Sequence, residues 1–296
     1  MKQEEIVSVG SGSPININWE LVSHCQFNCS YCYYKPYKSE TDYKPLAKIV
    51  LKRLSKITDS TKVTLLGGEP TLHPSFHEVI HSLYEMAHVK QICIVTNFEK
   101  PLKFWQDLLP FKSKLKIVVS FHPEYEQKNM FQKIRDLQSD FLLDFVFIVH
   151  NEEQYLPKME MAAKELDNLD FGISLNFVKL HEKGLYRKYP KTISDFMISQ
   201  QEKVRNRPVT ETVNIVTKAG PTKIPKFEMI NHGLNQFEGW SCKLRAFIIK
   251  EDGQVASACT NKTKHILVAD FSETILKCTY KICECDDYWE FTKTRS

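Results

Sequence analysis

Three thiols stand close together in Cys25-Gln26-Phe27-Asn28-Cys29-Ser30-Tyr31-Cys32, a C-x3-C-x2-C spacing. Thiols this near belong to a metal site or a redox site, since a tight loop rarely offers the Cα separation and Cβ direction that a disulfide needs. The spacing matches no pair-wise zinc pattern, and three thiolates from one loop leave a tetrahedral ion one ligand short. A cubane iron-sulfur cluster tolerates that shortage: three irons take one thiolate each, and the fourth stays open to a small molecule that can chelate it.

A second group of thiols, Cys242, Cys259, Cys278, Cys283 and Cys285, falls near the other end of the sequence. Cys242 and Cys259 flank two short apolar runs, 246–249 and 254–255, joined through Glu251-Asp252-Gly253, and Asp-Gly between strands is a strong hairpin signal. The two bases of the hairpin and the later cysteines can converge. Four-cysteine sets of mixed spacing suit zinc as well as an iron-sulfur cluster. Cys93 lies between Ile92 and Ile94 and reads as a small buried hydrophobe.

The elements that must position these groups follow from periodicity. Residues 15–22 alternate apolar and polar side chains and deliver the chain to the cysteine loop. Helical spacing over 44–57, 74–87, 101–109, 126–138 and 152–166 then alternates with strand-like runs at 62–66, 91–95, 115–119, 141–149 and 171–177. Roughly six β/α units imply a parallel sheet with right-handed crossovers that closes or partly closes into a barrel. In such sheets ligands bind beyond the carboxyl ends of the strands. There the chain carries Gly67-Gly68-Glu69-Pro70-Thr71, Thr96-Asn97, Ser120 with His122, and Asn176. Two glycines let backbone approach a ligand closely, and Glu69 can face a cation.

Together these motifs resemble the radical S-adenosylmethionine (radical SAM) superfamily: the cysteine loop with Tyr31 before its third thiol, the Gly-Gly-Glu-Pro run one unit later, and Thr96-Asn97 where many members carry Thr-Asn-Gly. Phe98 replaces that glycine. The resemblance implies a partial (β/α)6, TIM-like barrel with a 4Fe-4S cluster on Cys25, Cys29 and Cys32. It implies S-adenosylmethionine contacts from Tyr31, Gly67, Gly68, Glu69, Pro70, Asn97, Ser120 and His122, with 145–149 as an apolar wall for adenine. The late cysteines resemble the family's auxiliary-cluster module, called SPASM or, in shortened form, twitch. That implies a second 4Fe-4S cluster on four of Cys242, Cys259, Cys278, Cys283 and Cys285, with structural zinc as the competitor. The implied chemistry is reductive cleavage of S-adenosylmethionine to a 5'-deoxyadenosyl radical and hydrogen abstraction, with oxidative modification of a peptide or protein as the leading outcome. Dehydrogenation or epimerisation of a small molecule such as an aminoglycoside or cofactor precursor, radical methyl or sulfur transfer, and a non-catalytic RNA-associated metal protein are the alternatives. Flavodoxin or ferredoxin is the implied electron donor. Tyr33, Tyr34, Asn176 and His122 are candidates for shaping the substrate pocket.

Composition agrees with that reading. The 296 residues allow one large α/β domain and an appendage, and a formal charge of +4, spread along the chain, gives little reason to expect nucleic acid. The basic stretch with Tyr186 and Tyr189 reads as a solvated connector. With no run of eighteen apolar residues and no signal-like start, neither membrane nor export is expected, and in a reducing cytoplasm nine cysteines read as ligands. The expected layout is a flexible lead-in over 1–14, the barrel core over 15–178, a connector that could touch substrate over 179–239, and a small cysteine-rich hairpin domain over 240–296.

Overall fold

The computed structural model describes residues 2–10, 14–32, 44–169, 174–182, 185–205, 212–225, 229, 232–257, 259, 263–279, 281–283 and 291–295. Tyr33, Tyr34 and Cys285 lie outside them, as does the side chain of Asn176. Strand β1 (Ile6–Val9) comes first, inside the expected lead-in. After it, β2 (Ile15–Val22) places Ile15, Ile17, Trp19 and Leu21 on one face and Asn16, Asn18 and Glu20 on the other, the period of two that a strand imposes.

Strands and helices then alternate as the sequence pattern requires: α1 (Lys44–Leu54), β3 (Thr61–Gly67), α2 (Phe76–Glu85), β4 (Val89–Thr96), α3 (Leu102–Gln106), β5 (Leu115–Phe121), α4 (Met130–Leu137), β6 (Leu142–Val149), α5 (Leu156–Asp167) and β7 (Ser174–Lys179). The strands β2 to β7 pair in that order, every neighbour parallel. Helix α2 shows why the helices dock: Phe76, Val79, Ile80 and Leu83 recur at helical spacing and are buried. They meet Val63, Leu65, Ile92 and Ile94 from one face of the sheet in one continuous core. Each such side chain contributes roughly 1.5–3 kcal/mol on burial. Phe145 and Phe147, expected as an adenine wall, turn to this helix side, with Phe131 and Phe196 beside them. Val146 and Ile148 hold the opposite face, half-buried.

The six-stranded parallel array does not close on itself. Beyond β7 come the short pair β8 (His181–Glu182) and β9 (Leu185–Tyr186), helix α6 (Lys191–Arg205) and the hairpin of β10 (Thr212–Thr217) and β11 (Gly220–Pro225). The stretch expected as connector is therefore built structure. Then follow β12 (Ser241–Leu244), β13 (Ala246–Ile249), β14 (Gln254–Ser257), β15 (Thr263–His265), β16 (Thr274–Lys277) and β17 (Lys293–Thr294).

Two outcomes depart from the expected layout. The hairpin of β13 and β14 forms around Gly253 at φ 83°, where glycine is needed, but β13 lies parallel to β2 with Ile248 opposite Asn18 and so extends the barrel sheet. The cysteine-rich region is thus no separate domain in its hairpin. The other departure is a six-stranded sheet in the order β11-β10-β1-β17-β12-β16, in which the supposed lead-in is an inner strand. Ile6 and Val9 are fully buried against Val213, Ile215 and Phe237, which explains why those residues are ordered. No helix among the described residues is long and apolar enough to cross a membrane.

Candidate metal and cofactor site

The cysteine loop leaves the carboxyl end of β2, and its three thiols border one cavity of about 180 Å³ together with Phe27, Gly67, Gly68, Glu69, Val95, Thr96, Asn97, Ser120 and His122. These are the ends of β2, β3, β4 and β5. Among the described residues no three His, Cys, Asp or Glu side chains close on a point tight enough for one ion. The thiols stand instead around a space many times the roughly 10–15 Å³ that one water needs. Three thiols around such a space, with polar groups opposite, fit a cubane with a chelating small molecule.

Burial pushes the thiols up, Cys25 to about 11 and Cys29 to about 12. Without metal they are protonated, so ligation must release protons. Cys25 Sγ accepts a hydrogen bond from the Phe27 amide at 3.4 Å and lies 3.6 Å from Asn97 Nδ2. Cys29 Sγ lies 3.6 Å from His122 Nδ1, which also meets the Tyr31 hydroxyl at 3.0 Å. Burial lowers His122 to about 4, only partly opposed by Glu124, and raises Tyr31. At neutral pH the imidazole is therefore neutral, and its tautomer sets which of Nδ1 and the phenol donates.

The two glycines line the cavity and also meet a neighbour within the chain. A Cβ on Gly67 would sit 2.1 Å from the Val22 carbonyl oxygen, and one on Gly68 2.0 Å from that of His24. Gly68 N donates to Val22 O at 2.8 Å and Glu69 N to His24 O at 2.9 Å. The close approach is between this turn and the run entering the cysteine loop. Glu69, 1 % exposed, accepts from the Thr71 amide (3.2 Å) and hydroxyl (2.6 Å), the Thr96 hydroxyl (2.8 Å) and the Asn97 amide (2.8 Å). Its carboxyl ties the end of β3 to the end of β4 while lining the cavity. Burial nonetheless holds it above the usual carboxylate range.

Tyr31 and Pro70 stand outside the cavity lining. Tyr31 packs its edge against His150 and lies parallel to His122, and Pro70 opens a buried 3-10 turn. Asn97, beyond its contact with Cys25, accepts from Gln26 Nε2 at 3.0 Å. Sequence reasoning missed the set that grips the cysteine loop from β5. Glu124 accepts from the Ser30 amide at 2.8 Å and from the Ser30 hydroxyl. His150, fully buried with Nδ1 accepting from the Glu152 amide at 3.1 Å, turns Nε2 to Glu124 at 3.0 Å. Tyr125 stacks on Phe27 with ring centroids 4.2 Å apart and accepts from the Asn28 amide at 2.6 Å. Gln127 accepts from His122 N at 2.7 Å and donates to the carbonyls of Asn97 (2.7 Å) and Ser120 (2.8 Å). The polar stretch after His122 was the available signal, and it reads as a helix start.

A second cavity, of about 50 Å³, is bordered by Cys242, Cys259, Cys278 and Cys283 with Leu244, Phe291 and Lys293. All four are free thiols, and burial raises Cys242 and Cys259. Cys259 takes a left-handed conformation, φ 57°. Four thiols around a space larger than one water suit a cluster, and the donor set suits zinc equally.

Residues 19–122 match the radical SAM superfamily model. Among curated proteins, a GTP 3',8-cyclase of Actinobacillus pleuropneumoniae serotype 3 is 30 % identical over 100 residues, 31 % of this chain and 29 % of that protein. That of Photorhabdus laumondii is 24 % identical over 182 residues, 56 % of this chain and 55 % of the other. The chain thus spans under a third to about half of these relatives. Among solved structures, anSMEcpe with bound AdoMet and Cp18Cys peptide superposes with TM-score 0.52 at 17 % identity, over 86 % of this chain and 77 % of that one. Streptococcus suis SuiB bound to S-adenosylmethionine gives 0.51 at 12 % identity, over 88 % and 64 %. At these identities the likeness is one of fold.

Proposed function

We propose, from the match of residues 19–122 to the radical SAM superfamily model, that the chain is an iron-sulfur enzyme that reductively cleaves S-adenosylmethionine and abstracts hydrogen from a peptide or protein substrate. The observation that carries this is the meeting of the three C-x3-C-x2-C thiols and the Gly67-Gly68-Glu69 turn around one cavity. When bound there, a 4Fe-4S cluster and S-adenosylmethionine supply an electron to the sulfonium and, from it, a 5'-deoxyadenosyl radical. Cys25, Cys29 and Cys32 would hold the cluster as thiolates. Glu69 offers a negative charge to an ammonium group entering beside Gly68, while Asn97, Ser120 and neutral His122 offer hydrogen bonds at the rim. Phe27 and Val95 limit water in the same space, and the clamp from Glu124, Tyr125 and Gln127 keeps the thiols in place. Flavodoxin or ferredoxin would deliver the electron.

A second cluster on Cys242, Cys259, Cys278 and Cys283 belongs to the same proposal and makes net oxidation the favoured outcome. The peptide named with anSMEcpe, and the precursor peptide SuiA named with SuiB, support a peptide substrate. The sequence likeness to GTP 3',8-cyclases supports a small-molecule substrate as the second reading.

The test is anaerobic reconstitution followed by dithionite and S-adenosylmethionine. The expected result is 5'-deoxyadenosine from the intact chain and at least 100-fold less from Cys29→Ala. A fully iron-loaded chain that releases no 5'-deoxyadenosine sinks the proposal. With a substrate in hand, loss of two hydrogens in product mass marks oxidation, no change epimerisation, and a gain methyl or sulfur transfer.

A further inference from the structure

Lys293 is 2 % exposed, a burial that lysine almost never reaches unless its charge has work to do or a partner to meet. In the antiparallel pairing of β12 with β17 it is the direct cross-strand neighbour of Cys242, so both side chains share one face of the sheet. That face lines the cavity of the four thiols, which Lys293 borders with Phe291. Its ammonium lies 5.5 Å from the centroid of the Phe237 ring and 5.3 Å from that of Phe291, so two aromatic rings flank it. A cation held this way is fixed beside the cavity, and buried charges are screened less by salt than exposed ones.

We propose that Lys293 is a positioning residue for charge, a fixed cation that raises the reduction potential of a cluster held by Cys242, Cys259, Cys278 and Cys283. This rests on the second-cluster reading above. The couple concerned is one-electron: the cluster gains one electron, taken from dithionite in the titration, and its net negative charge grows by one. A neighbouring positive charge stabilises that reduced state more than the oxidised one. Anchorage between two rings keeps the cation near the sulfurs in both states.

The experiment uses the full chain carrying Cys25/Cys29/Cys32→Ala, so that any cluster signal comes from the second site. Iron content is measured first, and then the reduction potential by mediated titration followed by electron paramagnetic resonance. With Lys293 in place, about four irons are expected. Absence of iron there removes the second-cluster reading, and this proposal falls with it. Given a loaded site, Lys293→Met is expected to keep its iron but to show at least tenfold less reduced cluster at a fixed potential below saturation, a downward shift of about 59 mV or more for a one-electron couple. Lys293→Arg, which keeps the charge and can stack on both rings, is expected to stay within half that shift of the parent. An unchanged potential in Lys293→Met overturns the proposal, as does an equal drop in the Arg variant. Should the Met variant fail to load, Lys293→Gln and Lys293→Arg decide: iron in Arg and none in Gln supports the charge, and equal loading at equal potential, or equal failure, overturns it.

Discussion

Phe98 occupies a backbone conformation that ordinarily belongs to glycine, φ 61°. A side chain there costs about 1–2 kcal/mol, yet the ring is fully buried, 4.5 Å from Trp105 between centroids and under the Lys133 ammonium at 5.0 Å. Restoring the glycine of the family pattern should therefore hurt: Phe98→Gly regains the backbone term but loses ring burial of about 3–5 kcal/mol, so its denaturant midpoint should fall by the equivalent of about 1–4 kcal/mol. A midpoint equal to the parent's would mean that the ring contributes little. This position was half legible in the sequence. The Thr-Asn-x pattern marks the turn, but only the backbone angle and the packing explain why phenylalanine can stand in it. Glu124 is the opposite case, since the sequence shows it only as part of the polar stretch after His122. Burial would raise it, but hydrogen bonds from Ser30 and His150 hold it below the usual carboxylate range. A carboxyl depressed on folding contributes stability in full above its ordinary value, and that contribution is lost as pH falls through the lowered one. Glu124→Gln should cost about 1–3 kcal/mol of loop stability and remove that acid dependence. Hydrogen exchange at the Asn28 and Ser30 amides reads both, and unchanged protection would count against the clamp.

At the scale of elements, two loops are locked to a third. The turn after β3 lies so near the exit of β2 that only glycine fits at Gly67 and Gly68, and the loop after β5 holds the cysteine run from the other side. Gly68→Ala would push a Cβ to 2.0 Å from the His24 carbonyl oxygen. Overpacking of this kind costs about 1–3 kcal/mol, and the displaced loop should bind iron poorly. Iron content and a denaturation curve on the same sample check this; full loading at parent stability would show that the loop yields freely. Strands and helices from β2 to β7 were readable because period two and period 3.6 are local signals. The glycines were noticed for close approach, and the neighbour that already requires them is the run entering the cysteine loop. Contacts between loops leave no period to read.

Across the whole molecule, the same division holds. The hairpin at residues 246–257 could be read from Asp252-Gly253, whereas its parallel pairing with β2 could not, because partners about 230 residues apart carry no mutual signature in one sequence. β1 was read as part of a flexible lead-in because the first dozen residues are polar and run into Gly10-Ser11-Gly12-Ser13-Pro14. Its partners arise at Ile215 and beyond.

That last pairing gives the molecule a chronology. β2 to β7 can pair one after another as they emerge during synthesis, and the first three thiols are available with them. β1 must wait for β10, and longer still for β17, which follows it by more than 280 residues. At 5–20 residues per second that is roughly 15–60 s. The sheet that brings Cys242 beside Lys293 is therefore the last part to set, and iron supplied to the growing chain meets the first three thiols well before the other four can gather.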